Sequence, residues 1–222
     1  MARTKPASRS KKNSKSLSRA QTVWASLVGA MTLVGGGLFL MERGPVAAAE
    51  GLSLTPLMAT AGVDSLEGIF ATRNAIRPGN WQAIVIHDSG TPHGTQASLD
   101  AAARASGLKG LGYQFVIGNG NGMEDGEILV GHRWRDQVPG AHAAGSQADW
   151  FNRHSIGICL VGDGNRTRPT RAQMESLVRL SNALCRELGI PGNRVYLHSE
   201  IAPTDDPGRL FPAATLRSQL PR

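Results

Sequence analysis

Residues 81–91 read WQAIVIHDSGT, and at their centre Ala83 to Ile86 form a short aliphatic and β-branched run that ends at His87. Such a run is typical of a β-strand in a buried sheet. The polar residues that follow it mark the end of the strand. Because a strand end is a rigid place from which a side chain can enter a cleft, His87 is a candidate functional residue.

Further strand patterns and helix patterns alternate along the chain, and polar loops separate them. Strands are predicted at residues 113–117, 128–130, 156–161 and 195–197, and the run 156–161 has the composition of a fully buried strand. Helices are predicted at residues 99–104 and over a long apolar repeat that begins after Pro169 and Thr170 and ends at Gly189. The alternation predicts an α/β fold with a mixed sheet.

Charge is distributed unevenly over the 222 residues. The formal net charge is +7, but seven of the 24 basic residues lie in the first 20 positions, which leaves 17 basic and 17 acidic residues in the rest of the chain. A neutral body lacks the basic folded surface that nucleic-acid binders present to phosphate, so nucleic acid is excluded as a partner. The two cysteines, Cys159 and Cys185, exclude a disulfide-dense scaffold and leave one disulfide or two buried free thiols as alternatives.

An export segment is predicted behind the basic tail. Residues 22–41 carry no charge and match the roughly 20 apolar residues that a membrane span needs. The basic tail favours a cytoplasmic N terminus, so the residues from 42 onward are expected to be exported to the periplasm or cell envelope. Ala47 and Ala49 fit an A-x-A cleavage pattern, so a signal peptide cleaved after Ala49 and an uncleaved membrane anchor are both open.

These patterns divide the chain into four parts. A basic cytoplasmic tail covers residues 1–20, a signal peptide or membrane anchor covers 21–49, a linker that leads into the body covers 50–78, and the folded domain covers 79–222. Without cleavage, the chain would contact the membrane through residues 21–41. The length of the body suits one domain, and a monomer is expected.

Two histidines follow strand patterns, and an aspartate lies shortly after the second. His87 ends the run IVIH, His198 ends VYLH, and Asp206 follows in the sequence DDPG. Two imidazoles and one carboxylate are a common catalytic zinc set that leaves a fourth position for water. The alternative is a pair of ordinary strand-end histidines with an aspartate that caps a helix. His93 is close enough to His87 in the chain to be an alternative ligand.

Five blocks between Trp81 and Phe211 resemble, in order, those of the zinc N-acetylmuramoyl-L-alanine amidases of the peptidoglycan recognition protein and bacteriophage amidase-lysozyme superfamily. The blocks are IVIHDSGT (84–91), GLGYQFVIGNG (110–120), GHRW with GAHA (131–134 and 140–143), NRHSIGICLVGD (152–163) and HSEIAPTDDPG (198–208). The resemblance implies a central mixed sheet flanked by helices, with a zinc cleft on one sheet face. It also implies hydrolysis of the amide between N-acetylmuramic acid and L-alanine in peptidoglycan or its fragments.

The resemblance assigns roles to residues by their position in these blocks. The three Zn²⁺ ligands of the family fall on His87, His198 and Asp206, and its catalytic tyrosine falls on Tyr113. Thr204 lies where some members have a catalytic lysine, and it could supply only a neutral hydrogen bond.

Three further residues lie in the matching blocks, and one of them, His142, lies in a segment that lines the family's cleft. His142, Trp134 and Asn152 are candidate substrate contacts, and each also has a structural alternative, namely a buried ring or an amide that fixes loop backbone. A second function stays open beside the amidase, because some relatives bind peptidoglycan or muropeptides without cutting them. Retention of two histidines and an aspartate favours the enzyme.

Overall fold

The computed structural model describes residues 66–221. The predicted basic tail, the predicted export segment and residues 50–65 of the predicted linker lie outside this range. Within residues 66–221, every helix is too short or too polar to cross a membrane.

A five-stranded mixed sheet forms the centre of the described fold. Its strands are β1 (Ala83–Asp88), β2 (Phe115–Ile117), β3 (Ile128–Val130), β4 (Ser155–Leu160) and β5 (Val195–Leu197). Their order across the sheet is β3-β2-β4-β1-β5. β1 pairs in parallel with β4 and β5, β2 pairs in parallel with β4, and β3 is antiparallel to β2. The predicted mixed sheet is therefore confirmed, although β2 begins two residues later than expected.

Helices flank this sheet, as the resemblance implied. The α-helices are α1 (Gln96–Ala105), α2 (His132–Arg135), α3 (Ala148–His154), α4 (Arg171–Leu188) and α5 (Ala213–Ser218), and short 3₁₀ helices cover Glu67–Phe70, Gly192–Arg194 and His198–Glu200. α1 begins earlier than predicted because Thr95 caps it: its side chain accepts a hydrogen bond from the Ser98 N–H in a capping box.

Helix α4 begins and ends where the sequence predicted. The Thr170 side chain accepts a hydrogen bond from the N–H of Gln173, and Gly189 ends the helix with a φ of 67°, which glycine adopts without strain. The buried Gln173 side chain donates from Nε2 to the carbonyl oxygens of Ile117 and Val161. These two bonds tie the start of α4 to the ends of β2 and β4.

The two faces of the sheet bury different sets of residues. One face packs against α4 through a single apolar cluster that includes Ile84, Ile86, Phe115, Ile117, Ile156, Ile158, Leu177, Leu180 and Leu184. Successive side chains of a strand point to opposite faces, so His87 and Cys159 lie on the other face. The strand register aligns His87 with Cys159, and Cys159 with Val116. The face opposite α4 therefore carries His87, the first of the candidate ligands.

The packed body includes residues that precede position 79. Ile69 is buried, and its carbonyl oxygen accepts a hydrogen bond from the indole Nε1 of Trp134. The N–H of Arg73 donates to the carbonyl of Arg135 over 2.7 Å. The described part of the predicted entry segment therefore packs onto the body and contacts Trp134.

Trp134 is a core residue. Its side chain has no exposed surface, and its ring contacts those of Phe70, Trp81 and Phe115, with centroid distances of 5.1 to 6.3 Å. The predicted substrate contact is wrong for Trp134, because no part of the ring reaches solvent.

We expect Trp134→Ala to lower the free energy of unfolding by about 3–5 kcal/mol, because it leaves a large cavity in the apolar cluster. Chemical denaturation of the full-length protein would measure the change. Trp150→Ala is the matched control, since Trp150 is 40% exposed and its loss should change stability far less. Equal effects of the two substitutions would contradict the core assignment of Trp134.

Candidate metal centre

Three side chains converge on the sheet face opposite α4. His87 lies near the end of β1, His198 follows β5 directly, and Asp206 lies in the loop beyond it. The Nδ1 atoms of His87 and His198 lie 2.8 Å and 2.7 Å from the same oxygen, Oδ2 of Asp206. Because β1 and β5 are parallel neighbours, their carboxyl ends deliver both histidines to one place.

The geometry of this cluster suits a single ion. One ligand atom from each of His87, His198 and Asp206 lies within 4.8 Å of the other two. The second carboxylate oxygen of Asp206 accepts a hydrogen bond from the N–H of Asp88 over 2.6 Å, which fixes the orientation of the carboxylate. Imidazole nitrogens and a carboxylate are donors that zinc accepts in tetrahedral sites with an open position, so the residues present fit that metal.

Burial and hydrogen bonding set the charge of the donors. Burial lowers the pKa of His87, and the neighbouring Asp206 carboxylate does not compensate for it, so the neutral imidazole is favoured. Burial raises the pKa of Asp206, but hydrogen bonds to His198 and His87 outweigh it and lower this pKa to about 2. The cluster thus offers an ionised carboxylate and a neutral imidazole to a cation.

Tyr113 lies beside the cluster, two residues before β2. Its ring centroid is 5.1 Å from that of His87. Burial raises the pKa of the Tyr113 phenol well above 10, and nearby Cys159 adds to the effect. Tyr113 therefore keeps its O–H at neutral pH and can donate a hydrogen bond to a group that enters the cluster.

The GAHA segment brings His142 to the other side of His87. His142 Nδ1 lies 3.1 Å from His87 Nε2, and only 7% of His142 is exposed. The Asn152 side chain fixes this segment: its Oδ1 accepts from the N–H groups of His142 and Ala143, and its Nδ2 donates to the Ala143 carbonyl. These bonds match the loop-fixing alternative for Asn152. Substrate contacts of His142 and Asn152 stay predictions.

Thr204 lies next to the ligand cluster, whereas His93 lies outside it. The Thr204 hydroxyl oxygen accepts a hydrogen bond from the N–H of Asp206 over 3.3 Å, which leaves its hydrogen available to another acceptor. His93 is exposed and pairs through Nδ1 with Asn121 Oδ1, so the structure does not bring it to the metal cluster.

Both cysteines are free and buried. Cys159 lies on the sheet face that carries the cluster, whereas Cys185 belongs to the apolar cluster between the sheet and α4. A disulfide between them would have to pass through the sheet, so the free-thiol alternative is the one observed.

Two contacts of the cluster had no signal in the sequence. One is the bond from the Asp88 N–H to Asp206, and the other is the approach of His142 to His87. Both join residues far apart in the chain, and neither follows from strand or helix periodicity.

Comparison with known proteins identifies the family of this chain. Residues 77–209 match the family described as N-acetylmuramoyl-L-alanine amidase. The endolysin of Escherichia phage T7 is 31% identical over 148 residues, which cover 63% of this chain and 79% of the endolysin. Peptidoglycan-recognition protein SC2 of Drosophila simulans is 30% identical over 135 residues, which cover 57% of this chain and 67% of that protein.

A solved structure shares the fold. N-acetylmuramoyl-L-alanine amidase LysC from Clostridium intestinale superimposes with a TM-score of 0.55 at 28% identity, over 63% of this chain and 85% of LysC. The matched family region contains β1, Tyr113, His142, β5 and all three residues of the metal-ligand cluster. The chain belongs to the N-acetylmuramoyl-L-alanine amidase family.

Proposed function

We propose that the protein is a zinc-dependent amidase that hydrolyses the bond between N-acetylmuramic acid and L-alanine in peptidoglycan or its fragments. The observation that carries the proposal is the convergence of two histidine Nδ1 atoms on one oxygen of Asp206, with the Tyr113 ring beside them. Polymeric peptidoglycan lies outside the cytoplasmic membrane, which agrees with the export segment predicted at residues 22–41.

The donor set supports metal-assisted hydrolysis. His87 and His198 would hold zinc through their Nδ1 atoms, and Asp206 would hold it through Oδ2. When bound in such a set, zinc polarises a carbonyl and lowers the pKa of a water ligand toward about 7. The N–H of Asp88 keeps the carboxylate of Asp206 in its position.

Tyr113 and Thr204 are the proposed hydrogen-bond donors to the reacting carbonyl. The negative charge that develops on the carbonyl oxygen needs a donor that is already oriented. The Tyr113 phenol is protonated at neutral pH, since its pKa lies above the ordinary value of about 10, and its ring packs against the apolar cluster that includes Leu111, Val116 and Cys159. Thr204 is exposed next to Asp206 and would add a second, neutral donor.

A surface cavity of about 260 Å³ adjoins Tyr113. It is lined by α1 and by the segment before β2, which contribute Leu99 and Leu111, and also by Ser89 after β1 and Ala141 of the GAHA segment. We infer that part of the substrate occupies this cavity, because it opens next to the proposed oxyanion donor.

Recognition of peptidoglycan without cleavage is the second candidate function. It is favoured by one observation, namely that a neutral threonine occupies position 204, where some amidases have a lysine. The complete set of His87, His198 and Asp206 argues against it, since a binding module needs no metal ligands.

Product analysis separates the two functions. Full-length protein would be treated with a chelator, divided, and incubated with purified peptidoglycan with and without added zinc. We expect stem peptides with a free L-alanine amino terminus in the mass spectrum, and only in the sample that contains zinc. Binding to peptidoglycan without new amino termini, even after prolonged incubation with zinc, would refute the amidase and leave the recognition module.

A further inference from the structure

His142 continues a row of polar contacts that begins at the metal-ligand cluster. Nδ1 of His87 faces Asp206, and its Nε2 lies 3.1 Å from Nδ1 of His142. Nε2 of His142 in turn lies 3.4 Å from the carbonyl oxygen of Ser155. The row therefore runs from a carboxylate, through two buried imidazoles, to a backbone carbonyl.

The hydrogens available along this row are compatible with a cation at its Asp206 end. The carboxylate and the carbonyl can only accept hydrogen bonds, and a neutral imidazole carries one N–H. Three contacts need three hydrogens, whereas two neutral rings supply two. Without a cation, one of the three contacts lacks a hydrogen. When the lone pair of His87 Nδ1 faces a cation, the two remaining contacts use one N–H each.

In that arrangement, the protonated nitrogen of each ring is determined by its neighbour. The Ser155 carbonyl can only accept, so His142 donates to it from Nε2 and keeps a lone pair on Nδ1. This lone pair accepts the N–H of His87 Nε2, which leaves the lone pair of His87 on Nδ1. A partner on the far nitrogen is a common way to fix the tautomer of a metal-binding histidine.

The fold provides a closely fitting slot for the His142 ring. A Cβ atom on Gly157 would lie 2.6 Å from Cγ and Cδ2 of His142, and a Cβ atom on Gly140 would also collide with Cδ2. Asn152 fixes the backbone at His142 and Ala143. The ring is therefore held against β4 by steric fit and by backbone hydrogen bonds.

We propose that His142 is a positioning residue of the metal centre, which holds His87 in the Nε2–H tautomer and so directs Nδ1 of His87 to the cation. This inference rests on the proposed zinc-dependent function. The Ser155 carbonyl accepts the hydrogen bond from His142 Nε2 and so fixes the tautomer of His142. A substrate contact predicts a different outcome on mutation: a higher KM with unchanged zinc affinity.

Two substitutions of similar size distinguish these roles. Asparagine places its carbonyl oxygen near the position of Nδ1 and can still accept from His87, whereas the amide of glutamine lies near the position of Nε2. In full-length protein, we expect His142→Gln to weaken zinc binding by about 10- to 100-fold, measured by competition with a chromogenic chelator. His142→Asn should retain an affinity close to that of the unchanged protein.

Nitrogen NMR of the zinc-loaded protein gives a second readout that does not depend on activity. We expect His142 and His87 each to carry their proton on Nε2. Protonation of His142 at Nδ1, or equal zinc affinity in the glutamine and asparagine variants, would overturn the positioning role. Absence of hydrolysis in a protein that shows the expected affinity difference would refute the proposed amidase alone.

Discussion

Replacing His198 with alanine is expected to abolish stoichiometric zinc binding and peptidoglycan hydrolysis together. The substitution removes one of three donors, and the two that remain, His87 and Asp206, are too few for a stable tetrahedral site. It also leaves the Asp206 carboxylate with one imidazole contact instead of two. Elemental analysis of purified full-length protein measures the metal, and the stem-peptide assay measures hydrolysis.

His93→Ala is the matched control for this experiment. His93 is an exposed histidine that pairs with Asn121 outside the cluster, so its loss should leave the zinc content unchanged. Full zinc retention in the His198 variant would refute the proposed ligand set. Loss of zinc in the His93 variant would restore His93 as the alternative ligand.

Replacing Tyr113 with phenylalanine is expected to slow turnover by about 10²–10³-fold while zinc content stays the same. The change removes one O–H and keeps the ring, so the packing of the ring against His87 and the cluster around Cys159 is preserved. The effect should fall on kcat rather than on KM, because the donor acts on charge that develops during the reaction.

The other tyrosine among the described residues supplies the control for Tyr113. Tyr196→Phe removes a phenol hydroxyl from β5, where the ring packs against Phe151, and should leave kcat nearly unchanged. A Tyr113→Phe enzyme with undiminished kcat would remove Tyr113 from the proposed catalytic residues.

Local sequence signals account for the parts of the fold that were predicted correctly. Apolar runs lead up to a histidine in both strands: Ala83 to Ile86 precede His87 within β1, and Val195 to Leu197 precede His198 directly after β5. Helix α4 lies between a Thr170 cap and Gly189. These signals act over a few residues, so periodicity and capping chemistry reveal them. The resemblance to the amidases added the expectation that His87, His198 and Asp206 form one ligand set on one face of the sheet.

One wrong prediction, one open alternative and one missed contact arose where a residue's environment depends on distant parts of the chain. Trp134 was expected to contact substrate, but Ile69 and Phe70 contact it in the core, and nothing in the sequence GHRW indicates these contacts. The relation between Cys159 and Cys185 depends on which sheet face each one occupies. The contact between His87 and His142 joins residues 55 positions apart, through a loop whose path is set by Asn152.

Within residues 66–221, the sheet separates two groups of side chains in which substitutions should have different effects. Side chains of β1 and β4 that face α4 maintain the apolar cluster, while their neighbours in sequence face the ligand cluster. Distant sites without shared partners usually contribute independently to stability. Substitutions in α4 can therefore change thermal stability with little effect on hydrolysis. Within β1 or β4, by contrast, two adjacent residues belong to different groups, one to the apolar cluster and one to the face with the ligand cluster.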